Sequence, residues 1–196
     1  MLQVGDEVPR FSLVGDDGKP HGPADHRGKT LVVYFYPKDD TPGCTREAVA
    51  FSKLADDFAK AGAVVYGVSR DSTESHCRFR DKHKLGVRLL SDPTLEVHRA
   101  FGAWGEKTMY GKKVEGVLRS TFLIGPDGKI AHVWPSVKVD GHAEAVLAAL
   151  VGEAPKAPAK KAPAKRRAPK KVTAKKVTAK PPAPKKKDGK PAAKKR

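Results

Sequence analysis

Hydrophobic and polar positions along the chain outline a domain before any chemistry is considered. Leu31-Val32-Val33-Tyr34-Phe35-Tyr36 is an unbroken β-prone run, the pattern of a strand covered on both faces. Pro37 ends it, and a polar turn leads to Thr41-Pro42-Gly43-Cys44. Thr41 suits an N-cap and Pro42 a first helical position. Ala48, Phe51, Ala55 and Phe58 then recur at helical spacing, predicting one helix from about Pro42 to about Lys60. Gly62 stops it, and Ala63 to Val68 is a second buried strand. Asp71 followed by Glu74 has the form of a capping box and opens a helix ending near Lys84. Val87 to Leu90 predicts a third short strand, and Pro93 the start of a helix to about Phe101. Val117 to Ile124 is strand-like, Pro126-Asp127-Gly128 is a turn, and Ile130 to Trp134 returns as the partner strand. Gly141 to Leu150 reads as a final helix, and Phe11 to Leu13 before Asp16-Asp17-Gly18 as a small N-terminal hairpin. Alternating strands and helices imply parallel pairing with right-handed crossovers. The expected fold class is α/β, a mixed central sheet flanked by helices, and a thioredoxin-like arrangement fits this order of elements.

Charge divides the chain in two. The 196 residues carry a net +17. Residues 153–196 hold 18 Lys and Arg against two acids, with eight prolines and no aromatic residue. That leaves about +1 on residues 1–152 and +16 on the remainder. The expected organisation is a globular domain over residues 1–152 and a disordered Lys/Ala/Pro-rich polycationic tail over 153–196, because so few apolar side chains cannot offset the entropy of ordering. Lys156 to Lys160 recurs as Lys161 to Lys165, and Lys171 to Lys175 as Lys176 to Lys180, which marks low complexity. Met1 to Glu7 has neither a basic start nor an apolar run, so no secretory signal is read, and the longest strongly apolar run is too short to span a bilayer. The expected setting is cytoplasmic, where thiols stay reduced.

Two cysteines in such a setting draw attention to Cys44 and Cys77. Cys44 falls in the first turn of the helix after the buried strand, where unpaired amides and the helix dipole favour a thiolate. The Thr41 hydroxyl, one turn away, is placed to donate to a peroxide oxygen, and Pro42 to shield the sulfur from water. A fixed cation is needed for the charge on a departing oxygen. Arg119 is the candidate, because it interrupts an apolar strand where an unpartnered charge is costly. On the residues alone, a small buried Cys44 with Arg119 facing solvent fits equally well.

The stretch Tyr34-Phe35-Tyr36-Pro37-Lys38-Asp39-Asp40-Thr41-Pro42-Gly43-Cys44-Thr45-Arg46-Glu47-Ala48 closely resembles the active-site motif of the bacterioferritin-comigratory (Q-type) peroxiredoxins. The resemblance continues through Gly67 to Ser72, Leu89 to Asp92, Trp104 to Lys107 with Met109-Tyr110-Gly111, and Arg119 to Ile124. It implies a thioredoxin-like fold, no metal or organic cofactor, and reduction of hydrogen peroxide and organic hydroperoxides. Pro37, Thr41, Cys44 and Arg119 match the family's active-site positions. Many relatives place a second cysteine five residues after the first, where this chain has Val49. Others carry it on the following helix, where Cys77 matches approximately, within about one turn. The resemblance thus implies that Cys77 resolves the Cys44 sulfenic acid as an intramolecular disulfide, recycled by thioredoxin or a similar dithiol. A buried, inert Cys77 with a one-cysteine cycle is the alternative.

His76, His83 and His98 have no spacing that fits a zinc site and are read as solvated or packing residues. The tail resembles those of linker histones and bacterial histone-like proteins. A flexible cation of this density binds phosphate backbones without reading sequence. The expected partners are therefore peroxides, a dithiol reductant and non-specific nucleic acid, with no membrane. The expected assembly is a monomer or weak dimer, and the expected location the cytoplasm with nucleoid association. A rival class remains: a DNA-compacting protein with an accessory redox domain.

Overall fold

The computed structural model describes residues 1–109 and 112–152. Strands β1 (Leu13–Gly15) and β2 (Pro20–His21) form the N-terminal hairpin, and a 3-10 turn covers Pro23–His26. Then follow β3 (Thr30–Phe35), α1 (Pro42–Lys53), α2 (Ala55–Lys60), β4 (Ala63–Ser69), α3 (Thr73–His83), β5 (Arg88–Ser91) and α4 (Glu96–Phe101). The remainder is β6 (Trp104–Met109), β7 (Lys112–Val117), β8 (Ser120–Ile124), β9 (Ile130–Trp134) and α5 (His142–Leu150).

Seven strands make one mixed sheet in the order β2-β1-β5-β4-β3-β8-β9. β3, β4 and β5 are parallel, as the strand–helix alternation predicts, and β8 runs antiparallel to β3 with Phe35 opposite Ser120. Because side chains alternate across a strand, β3 feeds two cores. Val32 and Tyr34 join Ala48, Phe51 and Phe58 beneath α1 and α2, with Phe79 of α3 and Val146 of α5. Leu31, Val33 and Phe35 face Val97 and Phe101 of α4 together with Phe122 and Ile130. The expected α/β layering, a mixed sheet with helices on both sides, is what the chain adopts.

Four elements differ from the sequence reading, each for a local reason. The helix read from Pro42 to Lys60 is interrupted at Leu54. The Ser52 hydroxyl donates to the Ala48 carbonyl at 2.7 Å, a bond that bends helices, and the Leu54 amide tightens onto the Phe51 carbonyl. The N-cap of α3 is Ser72, whose hydroxyl accepts from the Ser75 amide, and not Asp71, whose carboxylate accepts from the Asp39 amide and the Ser69 hydroxyl. α4 begins at Glu96, not at Pro93, because Leu95 adopts a left-handed φ of 62° and the Asp92 carboxylate takes the His98 amide. The strand read over Val117 to Ile124 is two strands. The Leu118 amide turns to the Ala103 carbonyl at 2.7 Å, and the chain passes from a separate hairpin, β6 with β7, into the main sheet.

Arg119 therefore lies in the joint between β7 and β8, not within a strand. Register places that joint beside the C-terminal end of β3, where Pro37 has no amide to continue the ladder and the chain turns into α1. Both the loop and the joint thus meet at one edge of the sheet. Tyr110 and Gly111, and the tail at 153–196, lie outside the described residues.

Candidate active site

Pro42 occupies the first turn of α1, and the Thr45 amide makes the first helical bond, to the Thr41 carbonyl at 2.8 Å. Thr41 holds the N-cap position, yet its hydroxyl does not cap the helix. It donates to the Lys38 carbonyl at 3.1 Å, closing the reactive loop on itself. Its lone pairs stay free, and donation to a substrate oxygen requires the rotor to leave Lys38. The amides at the start of α1 remain uncapped by any side chain, so their positive ends stay directed at the site around Cys44.

Cys44 is 2% exposed. Arg119 Nη2 donates to its Sγ at 3.2 Å. Nη1 of the same guanidinium donates to Glu47 Oε2. Glu47 lies one helical turn beyond Cys44 on the inward face of α1 and is 1% exposed, while the Arg119 side chain retains 19%. A carboxylate so buried requires a cation, and a cation half-buried at this edge requires an anion; each supplies the other. Burial raises the Glu47 carboxyl from 4.5 to about 7, against the opposing pull of Arg119. Burial also disfavours the Arg119 cation, but Glu47 and Cys44 outweigh it and hold the guanidinium above its ordinary value. Glu47 Oε1 has no hydrogen-bond partner, so the pair is anchored through one oxygen. The guanidinium lies over Gly43, 3.5 Å from where a Cβ would stand.

The structure thus brings together Thr41, Cys44 and Arg119, with Pro37 and Pro42 shaping the loop. Sequence reasoning missed Glu47 as a member of this set. Its signal was present: an acid at a position whose neighbours on the same face, Ala48 and Phe51, are core residues. A second missed group is His142, which bonds to Thr121 Oγ1 at 2.8 Å and packs edge-on against Phe51 and Trp134. Burial, then the Arg119 charge, lowers its imidazole from 6.5 to about 4.

Cys77 is placed elsewhere. Both cysteines are free thiols. The half-buried Cys77 donates from Sγ to the Asp16 carbonyl at 3.0 Å, at the end of the β1–β2 hairpin. Asp16 follows β1, three strands from β3 in the sheet, and the Cys77 thiol is bonded there and not to Cys44. His76, His83 and His98 are each paired to a different aspartate, Asp39, Asp40 and Asp92. Among the described residues no group of three or more His, Cys, Asp or Glu is poised to hold a metal, and no helix is long and apolar enough to cross a membrane.

The AhpC/TSA family model matches residues 4–133. The chain belongs to this family as a peroxiredoxin of the Bcp/PrxQ type. Peroxiredoxin Bcp of Xanthomonas campestris is 53% identical over 129 residues, covering 66% of this chain and 81% of the relative. Peroxiredoxin Bcp of Bacillus subtilis is 42% identical over 149 residues, covering 76% and 95%. A solved Xanthomonas campestris bacterioferritin comigratory protein, a study of its alkyl peroxide reduction activity, superposes with a TM-score of 0.70 at 45% identity over 75% of this chain and 98% of that one. The peroxiredoxin fold is accordingly thioredoxin-like, with the mixed sheet and flanking helices described above, and the chemistry of the family is that of a thiol peroxidase.

Two outcomes follow for this peroxiredoxin. Arg119→Ala should slow the second-order reaction with peroxide by ~10²–10³, the scale of losing one charge-stabilising donor; stopped-flow fluorescence giving an unchanged rate would remove Arg119 from the chemistry. The second concerns pH. Unfolded His142 takes a proton near 6.5 and folded His142 only near 4, so acidification through that window favours the unfolded chain. Glu47 acts oppositely: its folded carboxyl binds a proton near 7 and its unfolded one near 4.5, so acidification favours the folded chain. Between those limits the two largely offset. In His142→Gln only Glu47 remains, so its stability relative to the parent should rise as pH falls from 7 to 4.5. Urea melts showing parallel pH curves for the two proteins would contradict this.

Proposed function

We propose that Cys44 is the peroxide-attacking thiolate of this thiol peroxidase, that Arg119 and Thr41 manage the peroxide oxygens, and that Cys77 resolves the product. The contact between Arg119 Nη2 and Cys44 Sγ carries the reading, since it places a fixed cation on a sulfur at a helix start. The thiolate attacks the terminal oxygen of a hydroperoxide. An S–O bond forms as the O–O bond breaks, Cys44 becomes a sulfenic acid, and the departing alkoxide or hydroxide takes a proton from solvent. Arg119 faces the oxygens as charge builds on the leaving one, and Glu47 keeps the guanidinium from turning away. Thr41 fixes the orientation of the peroxide once its hydroxyl leaves Lys38, and Pro37 and Pro42 hold the loop that keeps water from the sulfur.

The substrates of this reading are hydrogen peroxide and organic hydroperoxides, which the alkyl peroxide activity of the Xanthomonas relative supports. The sulfenic acid then condenses with the Cys77 thiol, releasing water and forming a disulfide that a thioredoxin-like dithiol reduces. The hold of Asp16 on Cys77 favours a second reading, in which an external thiol reduces Cys44 directly. One experiment separates them. Cys44→Ser should abolish turnover in either case. After one equivalent of peroxide, non-reducing mass mapping of the parent chain should show a Cys44–Cys77 disulfide; a Cys44 sulfenate alone, with normal recycling by small thiols, would establish the one-cysteine cycle.

The division into a domain over 1–152 and a polycationic arm over 153–196 supports tethering to nucleic acid, in a cytoplasmic, nucleoid-associated setting, by a protein that is a monomer or weak dimer. The full chain should bind duplex DNA of any sequence, and a chain ending at Gly152 should not. If about ten cations contact phosphates, log K should fall against log salt with a slope near −9. Equal DNA affinity with and without the arm, or a flat salt dependence, would overturn the tether. Unimpaired peroxide turnover by the shortened chain would separate the enzyme from a DNA-compacting protein with an accessory redox domain.

A further inference from the structure

Helix α3 carries Cys77, yet little apolar surface holds it in place. Among its eleven residues only His76 and Phe79 are buried. The rest of its docking is polar, and much of it runs to two adjacent aspartates inside the reactive loop. Asp39 Oδ2 accepts from the Ser75 hydroxyl at 2.8 Å and from His76 Nδ1 at 2.9 Å, while Oδ1 accepts from the Tyr36 hydroxyl at 2.7 Å. A carboxylate only accepts, so His76 carries its proton on Nδ1. The Asp39 amide donates to Asp71 Oδ2 at 2.8 Å, in the turn before α3. Asp40, held at a left-handed φ of 54°, accepts from His83 Nε2 and Lys82 Nζ in the last turn of the helix. Burial alone would raise the Asp39 carboxyl, but His76, Tyr36 and Ser75 outweigh it and hold it below its ordinary value.

This docking has a built-in defect. His76 is 0% exposed and its Nε2 has no hydrogen-bond partner. A buried polar atom without a partner is a standing cost that disappears when the group reaches water. His98 Nε2 of α4 is likewise unpartnered, so what sets α3 apart is that its docking is mostly polar, with Phe79 its one deeply packed apolar side chain; elements with few buried apolar contacts open locally while the sheet stays intact. Opening is also what the chemistry demands, because the Cys77 thiol is bonded to the Asp16 carbonyl and both cysteines are free.

We propose that Asp39, through Ser75 and His76, is a positioning residue that latches α3 onto the peroxide-reactive loop. The inference rests on Cys77 as the resolving thiol. With the latch closed, the loop from Pro37 to Thr41 is ordered and Cys44 reacts fast. With it open, α3 lifts and the Cys77 thiol reaches the Cys44 sulfenic acid, forming the S–S bond and releasing water. If it stays closed too long, the sulfenate attacks a second hydroperoxide instead: a second S–O bond forms, the O–O bond breaks, an alcohol leaves, and Cys44 ends as a sulfinic acid. The latch therefore sets two quantities in opposite directions, the rate of peroxide reduction and the escape from over-oxidation.

Opposite signs give the test its force only together with exchange confined to α3, since general destabilisation would raise exchange across the sheet as well. In the full-length protein, Asp39→Asn should raise hydrogen exchange of the α3 amides about tenfold with β3 and β4 amides unchanged. It should also slow peroxide reduction several-fold, speed disulfide formation, and lower the sulfinic fraction at a given peroxide dose. Ser75→Ala, which removes one bond to Asp39 from outside the loop, should shift each quantity the same way by less, and serves alone if Asp39→Asn does not fold. Unchanged α3 exchange overturns the latch. Faster α3 exchange with equal or greater over-oxidation overturns its control of the partition. Lack of any Cys44–Cys77 disulfide in the parent chain overturns the resolving role of Cys77, while the exchange measurement, which needs no disulfide, still decides the latch.

Discussion

An ionised group cannot be left alone in a protein interior, and the Glu47–Arg119 pair shows how far one such requirement reaches. Glu47 sits where α1 should present an apolar side chain to the core, and Arg119 sits where β8 should begin. Each position is tolerable only because the other is occupied. The pair joins the first helix to the joint that leads into β8, and by sharing its second nitrogen with Cys44 it turns a structural necessity into a fixed charge beside the sulfur. The break between β7 and β8 belongs to the same constraint: a residue inside a ladder points straight up or down from the sheet, whereas a residue in a joint can aim along its edge.

The parallel core of the fold was legible because its determinants are local. Leu31 to Tyr36 and Ala63 to Val68 are continuous apolar runs that suit only a strand covered on both sides, and Pro37 and Gly62 punctuate the units around them. What could not be read depended on distant partners. The β6–β7 hairpin contains Gly105, Glu106, Lys107, Lys112 and Lys113, with no apolar periodicity, and takes its strand geometry from mutual pairing. The start of α4 turned on an Asp92 side chain capturing the His98 amide, not on Pro93. At the candidate site, Cys44, Thr41 and Arg119 stand out in the sequence because each is chemically conspicuous. Glu47 was passed over because an acid in a helix usually means solvent, and only its helical phase, in register with Ala48 and Phe51, revealed that it points inward.

The histidines divide by what faces them. His76, His83 and His98 each meet an aspartate, His142 meets the Thr121 hydroxyl and two aromatic rings, and none meets another histidine within hydrogen-bonding reach. Such one-to-one pairing uses imidazole as a two-ended connector between elements. His98 ties α4 to the end of β5, His142 ties α5 to β8, and His76 ties α3 to the loop after β3. The first two sit among well-packed rings, Phe35 for one and Phe51 with Trp134 for the other. The third faces Tyr36 alone, at a ring separation of 6.4 Å.

The sheet ends on one side in β2, a strand of two residues whose first is Pro20. Proline offers no amide, so the outermost rung lacks a donor that a foreign strand would need, and what remains is too short to template one. Self-association by strand addition is closed off at that margin by backbone chemistry alone, with no need for like-charge repulsion between molecules. Positive charge lies almost wholly in the last 44 residues of this chain. Under the proposed tether, domains gathered on one polyanion would meet at high local concentration, and a blunted edge at this margin would let them crowd together and still remain individually folded.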